Sequence, residues 1–165
     1  MALFNYTEEA ARSMAAVKYK NKREYLDFYA EAAAEKLRQY ENREEWQFDG
    51  LVPVPVHPAR KRKRGFNQAE EIAQTLGELT GIPCDNTLLQ RIKATPQQTT
   101  LSAGQRRRNL RGAFRIRPHH YRHVALLDDV VTTGATAESL ARLLIKAGAR
   151  RVDVYCLART PKPGA

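Results

Sequence analysis

VALLDDVVTTGAT, residues Val124 to Thr136, joins an apolar run, two adjacent acids and a hydroxyl-rich glycine turn. Val124, Ala125, Leu126 and Leu127 form the short apolar stretch expected of a strand covered on both faces of a parallel sheet. Asp128 and Asp129 follow where that strand is expected to end. In open α/β sheets ligands bind outside the carboxyl ends of the strands. Two acids there can accept hydrogen bonds from a vicinal diol or hold a hydrated magnesium ion. Val130 and Val131 lead into Thr132, Thr133, Gly134, Ala135 and Thr136, with a helix opening near Thr136. Their N–H groups and hydroxyls make an anion cradle, to which the helix adds roughly half a positive charge. A diol at one end and a phosphate at the other describe ribose 5-phosphate. Taken alone, the segment also reads as plain turn chemistry with a threonine-rich helix cap.

Two more stretches precede it: VPVPVHPARKRKRGFNQ, residues 52–68, and KATPQQTTLSAGQRRRNLRGAF, residues 93–114. The three span roughly half the chain, and in this order and spacing they resemble the type I phosphoribosyltransferases, in the ComF/GntX branch. The resemblance implies an α/β domain with a roughly five-stranded parallel sheet flanked by helices and a long flexible loop over its carboxyl edge. It implies a site for phosphoribosyl pyrophosphate (PRPP). Asp128 and Asp129 are the catalytic candidates, Val130 to Thr136 are the PRPP-binding segment with Thr132 to Thr136 on the 5-phosphate, and the turn of Val56, His57, Pro58, Ala59 and Arg60 binds pyrophosphate through backbone amides. Magnesium arrives with PRPP and is held through waters near the two acids, with no direct protein ligand. Gln97, Gln98, Arg106, Arg107, Arg108 and Arg111 belong to the flexible loop.

At 165 residues and 42% hydrophobic, the chain suits one phosphoribosyltransferase-like domain. Residues 1–48 are read as N-terminal helices, 49–160 as the α/β core and 93–112 as the flexible loop. No apolar run reaches the roughly 18 residues of a membrane span. MALFNYTEEAARS at the start lacks a secretory pattern, so a cytoplasmic protein without membrane association is expected. Cys84 and Cys156 stand far apart in strand-like surroundings, which favours buried thiols and excludes zinc. Members of the family usually carry a cysteine-rich zinc segment ahead of this domain. The chain has none, and is expected to be a short form or a fragment.

A net charge of +10 calls for an anionic partner: nucleic acid, a polyphosphate ligand or a membrane surface. Arg60 to Arg64 form one basic run and Arg106 to Arg108 with Arg111 another, both within the family-like loops. The first also reads as a solvated charged face. The second reads as a lid over pyrophosphate or, equally, as an arm on a nucleic-acid backbone.

Helices are predicted near Thr7 to Lys18 and from Lys22 to about Glu41, the second packing through Leu26, Ala30, Ala33 and Leu37. Leu51 to Val56 reads as a strand that pairs poorly or bends around Pro53 and Pro55. A helix from about Asn67 carries a stripe of Ala69, Ile72, Ala73, Leu76 and Leu79 and ends at Gly81 and Pro83. Leu88 to Ile92 and Ala113 to Arg117 read as hairpin arms. A helix with Ala137, Leu140, Ala141, Leu144 and Ala147 inward precedes a last strand, Arg151 to Ala158, and a frayed tail.

PRPP chemistry displaces pyrophosphate from the anomeric carbon with a nitrogen nucleophile, so the site must stabilise charge more than move protons. His57 reads equally as a cap and as a functional residue. His119, His120 and His123 read as surface residues. No GxxxxGK[ST] or GxGxxG occurs. Two functions follow: a magnesium-dependent phosphoribosyltransferase of unnamed acceptor, or a non-catalytic accessory protein of DNA uptake that binds nucleotide or single-stranded DNA, with DNA-uptake proteins as further partners. The oligomeric state stays open, a homodimer being common among such transferases.

Overall fold

Apolar runs of strand length, spaced by helical stripes, build a parallel sheet with helices on both faces. The computed structural model describes residues 2–5, 24–39, 47–94 and 109–159. In chain order its elements are β1 (Ala2–Asn5), α1 (Glu24–Arg38), β2 (Gly50–Pro53), α2 (Pro58–Arg64), α3 (Gln68–Thr80), β3 (Leu89–Arg91), β4 (Phe114–Ile116), β5 (His123–Val131), α4 (Ala135–Lys146) and β6 (Arg151–Arg159). The strand β1 is an addition to the elements predicted from sequence. The predicted helix at Thr7 to Lys18, most of the flexible loop and the tail lie outside the described residues.

Four strands pair in parallel in the order β1-β6-β5-β2. On the outer side of β2, Leu51 bridges Cys84: Leu51 N–H donates to Pro83 O at 2.8 Å and Asp85 N–H to Leu51 O at 2.9 Å. The expected fifth strand is thus a single bridge. It stops because the Asp85 carboxylate takes the N–H groups of Thr87 and Leu88, at 3.0 and 2.9 Å, and turns the chain away. The strands β3 and β4 then pair antiparallel as the predicted hairpin, Leu89 opposite Ile116.

Strand alternation sorts the core into two layers. Ala125 and Leu127 of β5 face α1 and α3 with Leu26, Ala33, Leu51, Ile72 and Leu76. Val124 and Leu126 face α4 and the hairpin with Val52, Leu89, Phe114, Leu140 and Leu144. The predicted stripe of α1 is buried throughout. In α3, Leu79 departs from its stripe and is 38% exposed, because its turn is the last of the helix and only the end of α1 lies near, where Arg38 reaches Leu79 O. In α4, Ala147 is likewise exposed at the helix end. Cys156 is buried and Cys84 half-buried, neither in a disulfide, and burial first, then Asp85 and Glu70, pushes Cys84 to about 11.

His120 is exposed, but His119 and His123 are corrections to the surface reading. His119 is half-buried and stacks on Tyr121. The ring of His123 lies against Phe48, with Nε2 2.7 Å from Asp153 Oδ2 and Nδ1 2.8 Å from Gln47 O. Asp49 completes this clamp at the amino edge of the sheet, its Oδ2 accepting the N–H groups of Arg122 and His123 at 2.6 and 2.7 Å. The N–H of His123 is the largest influence on Asp49 and, against burial, it holds the carboxyl below its ordinary value of 3.8. A depressed folded-state pKa gives stability that is present above the unfolded value and lost as pH falls through the folded one. Asp49→Asn is therefore expected to be less stable than wild type at pH 6, with the gap closing below about pH 4; denaturant midpoints across this range check it.

Candidate functional site

Proline sets where β2 leaves the sheet. Its last registered pair is Pro53 with Leu127, Val54 N–H still reaches Leu127 O at 2.7 Å, and Pro55 has no N–H to offer next. The expectation that Asp128 and Asp129 sit past the end of their strand is corrected. The strand β5 runs on to Val131, because β6 keeps it company: Asp128 pairs with Cys156, Val130 with Ala158 and Val131 with Arg159. The acids lie inside β5 but beyond the last pair with β2, so the strand edge carrying them opens toward the departing loop. Asp128 Oδ1 accepts Asp129 N–H at 2.9 Å, and Asp129 Oδ1 accepts Val130 N–H at 2.8 Å, which orients both carboxylates.

Past Val131 the chain turns through Thr132 and Thr133 to Gly134, which caps α4 with φ 77° and makes no side-chain cap bond. The first helical bond runs from Glu138 N–H to Gly134 O at 2.8 Å, so the N–H groups of the first turn point outward. Asp128, Val130, Thr133, Gly134, Thr136 and Ala137 are among the residues lining a hollow of about 40 Å3 there. This is the arrangement expected of the anion cradle. A Cβ on Gly134 would meet only Val131, at 3.9 Å, so the conformation, not space, demands glycine. Gly134→Val is expected to cost about 1–2 kcal/mol of stability. It should also weaken ribose 5-phosphate binding by roughly 10-fold or more by reorienting the turn, the equivalent of losing one charge-assisted bond; titration of the variant reads both effects.

The turn predicted to bind pyrophosphate folds locally into the helix α2. His57 is its cap, its Nδ1 accepting Ala59 N–H at 3.2 Å, so the capping reading of this histidine is the one seen. Arg60 N–H and Lys61 N–H donate to His57 O at 2.8 and 3.0 Å. Two amides of the predicted turn, those of Ala59 and Arg60, are thereby used within it, while those of Val56 and His57 stay outside these bonds. Arg60 is half-buried, and burial, then Arg64, lowers its pKa while Asp129 raises it. The guanidinium therefore lies within electrostatic reach of the second acid.

Arg91 was not foreseen. It sits on β3 over the Phe114 ring, 5.6 Å from its centroid, and burial followed by Arg60 lowers its pKa. Its only sequence signal is its place at the root of the basic loop. Of the predicted loop residues, Arg111 is described: it is exposed, and its carbonyl accepts from Lys93 Nζ at 3.2 Å. Gln97, Gln98, Arg106, Arg107 and Arg108 lie outside the described residues. Between α2 and β3 runs a cleft of about 490 Å3, lined among others by Val56, His57, Lys61, Glu70 and Arg91, within the range of small-molecule pockets.

Among the described residues no three His, Cys, Asp or Glu side chains gather into a metal cage. Two carboxylates at an open edge fit magnesium, which keeps several waters and takes its other ligands from substrate phosphates. No described helix is long and apolar enough to cross a membrane.

A parallel α/β sheet whose acid pair leads into a glycine-opened helix is the architecture that the resemblance to the type I phosphoribosyltransferases implies. Over about two thirds of its length the chain is similar to proteins named for DNA utilization and for competence. It is 43% identical over 113 residues to DNA utilization protein YhgH of Salmonella typhi, covering 68% of this chain and 50% of that protein. It is 41% identical over 115 residues to competence protein F of Haemophilus influenzae, covering 67% and 50%. The chain spans about half the length of these curated relatives. A purine phosphoribosyltransferase from Pyrococcus horikoshii aligns with a TM-score of 0.49 at 20% identity, over 81% of this chain and 82% of that one. No family model matches the chain.

Proposed function

We propose that this protein binds PRPP and transfers its 5-phosphoribosyl group to a nitrogen acceptor, releasing pyrophosphate. The observation that carries this is that Asp128 lines the hollow opened by Gly134, with Asp129 next to it in β5 and within electrostatic reach of Arg60. In the reaction the bond from the anomeric carbon to the pyrophosphate oxygen breaks, its electron pair leaving with pyrophosphate, while the acceptor nitrogen bonds to that carbon. Positive charge grows on the ribose and negative charge on the leaving group. Asp128 and Asp129 face the first through the ribose hydroxyls; Arg60 and Arg91 suit the second. Magnesium, held through waters by Asp128 and Asp129, would neutralise the leaving group. Calorimetric titration of PRPP with magnesium into the wild type tests the reading. Affinity on the order of micromolar supports it and justifies screening acceptors for pyrophosphate release, whereas no binding at millimolar ligand removes it.

A second reading is a grip on single-stranded DNA in uptake. It is favoured by α2, which carries Arg60, Lys61, Arg62, Lys63 and Arg64 in succession and buries none of its residues, and by the relatives' names. Binding of a single-stranded oligonucleotide, followed by anisotropy, is then expected to weaken with salt by about 0.7 log units per log unit for each phosphate contact. Neutralising Arg106, Arg107 and Arg108 should flatten that slope. An affinity indifferent to salt would sink this reading.

A further inference from the structure

A helix of seven residues with no fully buried side chain, only Arg60 and Arg64 being half-buried, is held weakly by packing alone. This is α2, and its consecutive cations oppose one another: Arg64 is the second cause, after burial, of the lowered pKa of Arg60. Its hold on the rest of the molecule comes from the first turn of α3. Lys61 Nζ donates to both oxygens of Glu70, at 2.9 and 2.7 Å, and Asn86 Nδ2 donates to Glu70 Oε1 at 3.3 Å. Three residues earlier the buried Asn67 sends Nδ2 to Val54 O at 3.1 Å, at the point where β2 passes into the loop. The start of α3 thus grips the loop at its entry, through Asn67, and along its helix, through Glu70.

We propose that Glu70 is a positioning residue for the pyrophosphate loop, holding α2, and with it Arg60, in place through Lys61; this rests on the phosphoribosyl reading given above. Exposed ion pairs add little to global stability, and Lys61 is 47% and Glu70 21% exposed. The value of this pair is therefore in geometry, since displacing a binding group by about 1 Å can cost as much as 100-fold. With its ammonium committed to both Glu70 oxygens, Lys61 acts as a strut and leaves the anion to Arg60.

Magnesium pyrophosphate and, separately, ribose 5-phosphate are titrated into the wild type, Glu70→Gln, Lys61→Met and the double variant, with amide hydrogen exchange followed over residues 57–65. Glu70→Gln is expected to weaken pyrophosphate binding between about 10-fold and 100-fold, to leave ribose 5-phosphate binding and thermal stability unchanged, and to speed exchange in α2. Lys61→Met should reproduce this, and the double variant should add nothing, as for residues acting through one contact. A merely structural role would move both ligands and the melting temperature together. Unchanged pyrophosphate affinity in Glu70→Gln overturns the proposal. So does a gain in affinity, which would show Glu70 withholding Lys61 from the anion. A wild type that binds neither ligand overturns the phosphoribosyl reading itself, a result distinct from a wild type that binds both while Glu70→Gln binds equally well.

Discussion

Replacing Asp128 and Asp129 together by asparagine is expected to lower the affinity for PRPP with magnesium by at least about 100-fold while the protein stays folded. Hydrogen bonds to charged groups contribute roughly 1.5–3 kcal/mol each, and a factor of ten in affinity is about 1.4 kcal/mol. Losing two such contacts accounts for the loss, before any effect on magnesium. Folding should survive because both acids lie at an open strand edge, half-buried, beyond the last pair with β2. Each carboxylate accepts one local N–H, from Asp129 and Val130 respectively, and an asparagine oxygen can take the same bond. Calorimetry on the double variant beside the wild type reads the result. Equal affinity in the two proteins would remove the acids from the site and leave the Gly134 cradle as a helix cap alone.

The second large effect is on stability. Leu126→Ala, two residues before the acids, is expected to cost about 2–5 kcal/mol, against a total of roughly 5–15 kcal/mol for a domain. Leu126 is fully buried, and its layer with Val52, Leu140 and Leu144 joins the sheet to α4, so the space it leaves cannot close without moving a strand or a helix. Leu79→Ala is the control. The same kind of periodic pattern nominated Leu79 as a core residue, yet at 38% exposure its truncation should stay within about 0.5 kcal/mol. Chemical denaturation of the two variants checks both. Comparable losses would mean that the layers on the two faces of the sheet are not organised as described.

These two leucines mark what periodicity can and cannot decide. The unbroken apolar run of Val124 to Leu127 states that both faces of β5 are covered, because in a parallel sheet only a doubly covered strand is apolar at successive positions. The stripe ending at Leu79 states which side of the helix faces inward, but carries nothing about where the neighbouring element ends. The site divides in the same way. Asp128, Asp129 and Gly134 were legible because strand, acids and helix start are contiguous in the chain, and local order dictates local geometry. Arg91 was not, since it comes within electrostatic range of Arg60 only after α3 and the hairpin fold back.

By itself, then, the sequence determined the α/β class, the inner strand β5, the helices α1, α3 and α4, the hairpin, and the placing of two acids ahead of a glycine-opened helix. All of these follow from residue patterns within a single turn or strand. Tertiary structure alone decided that β6 carries β5 past its acids, that the pyrophosphate turn closes into a helix capped by His57, that His123 is clamped between Gln47 and Asp153, and that Glu70 holds Lys61. Apart from the His57 cap, which is local, each depends on a partner in another element, and such pairing is set by how the layers pack, which no local pattern encodes.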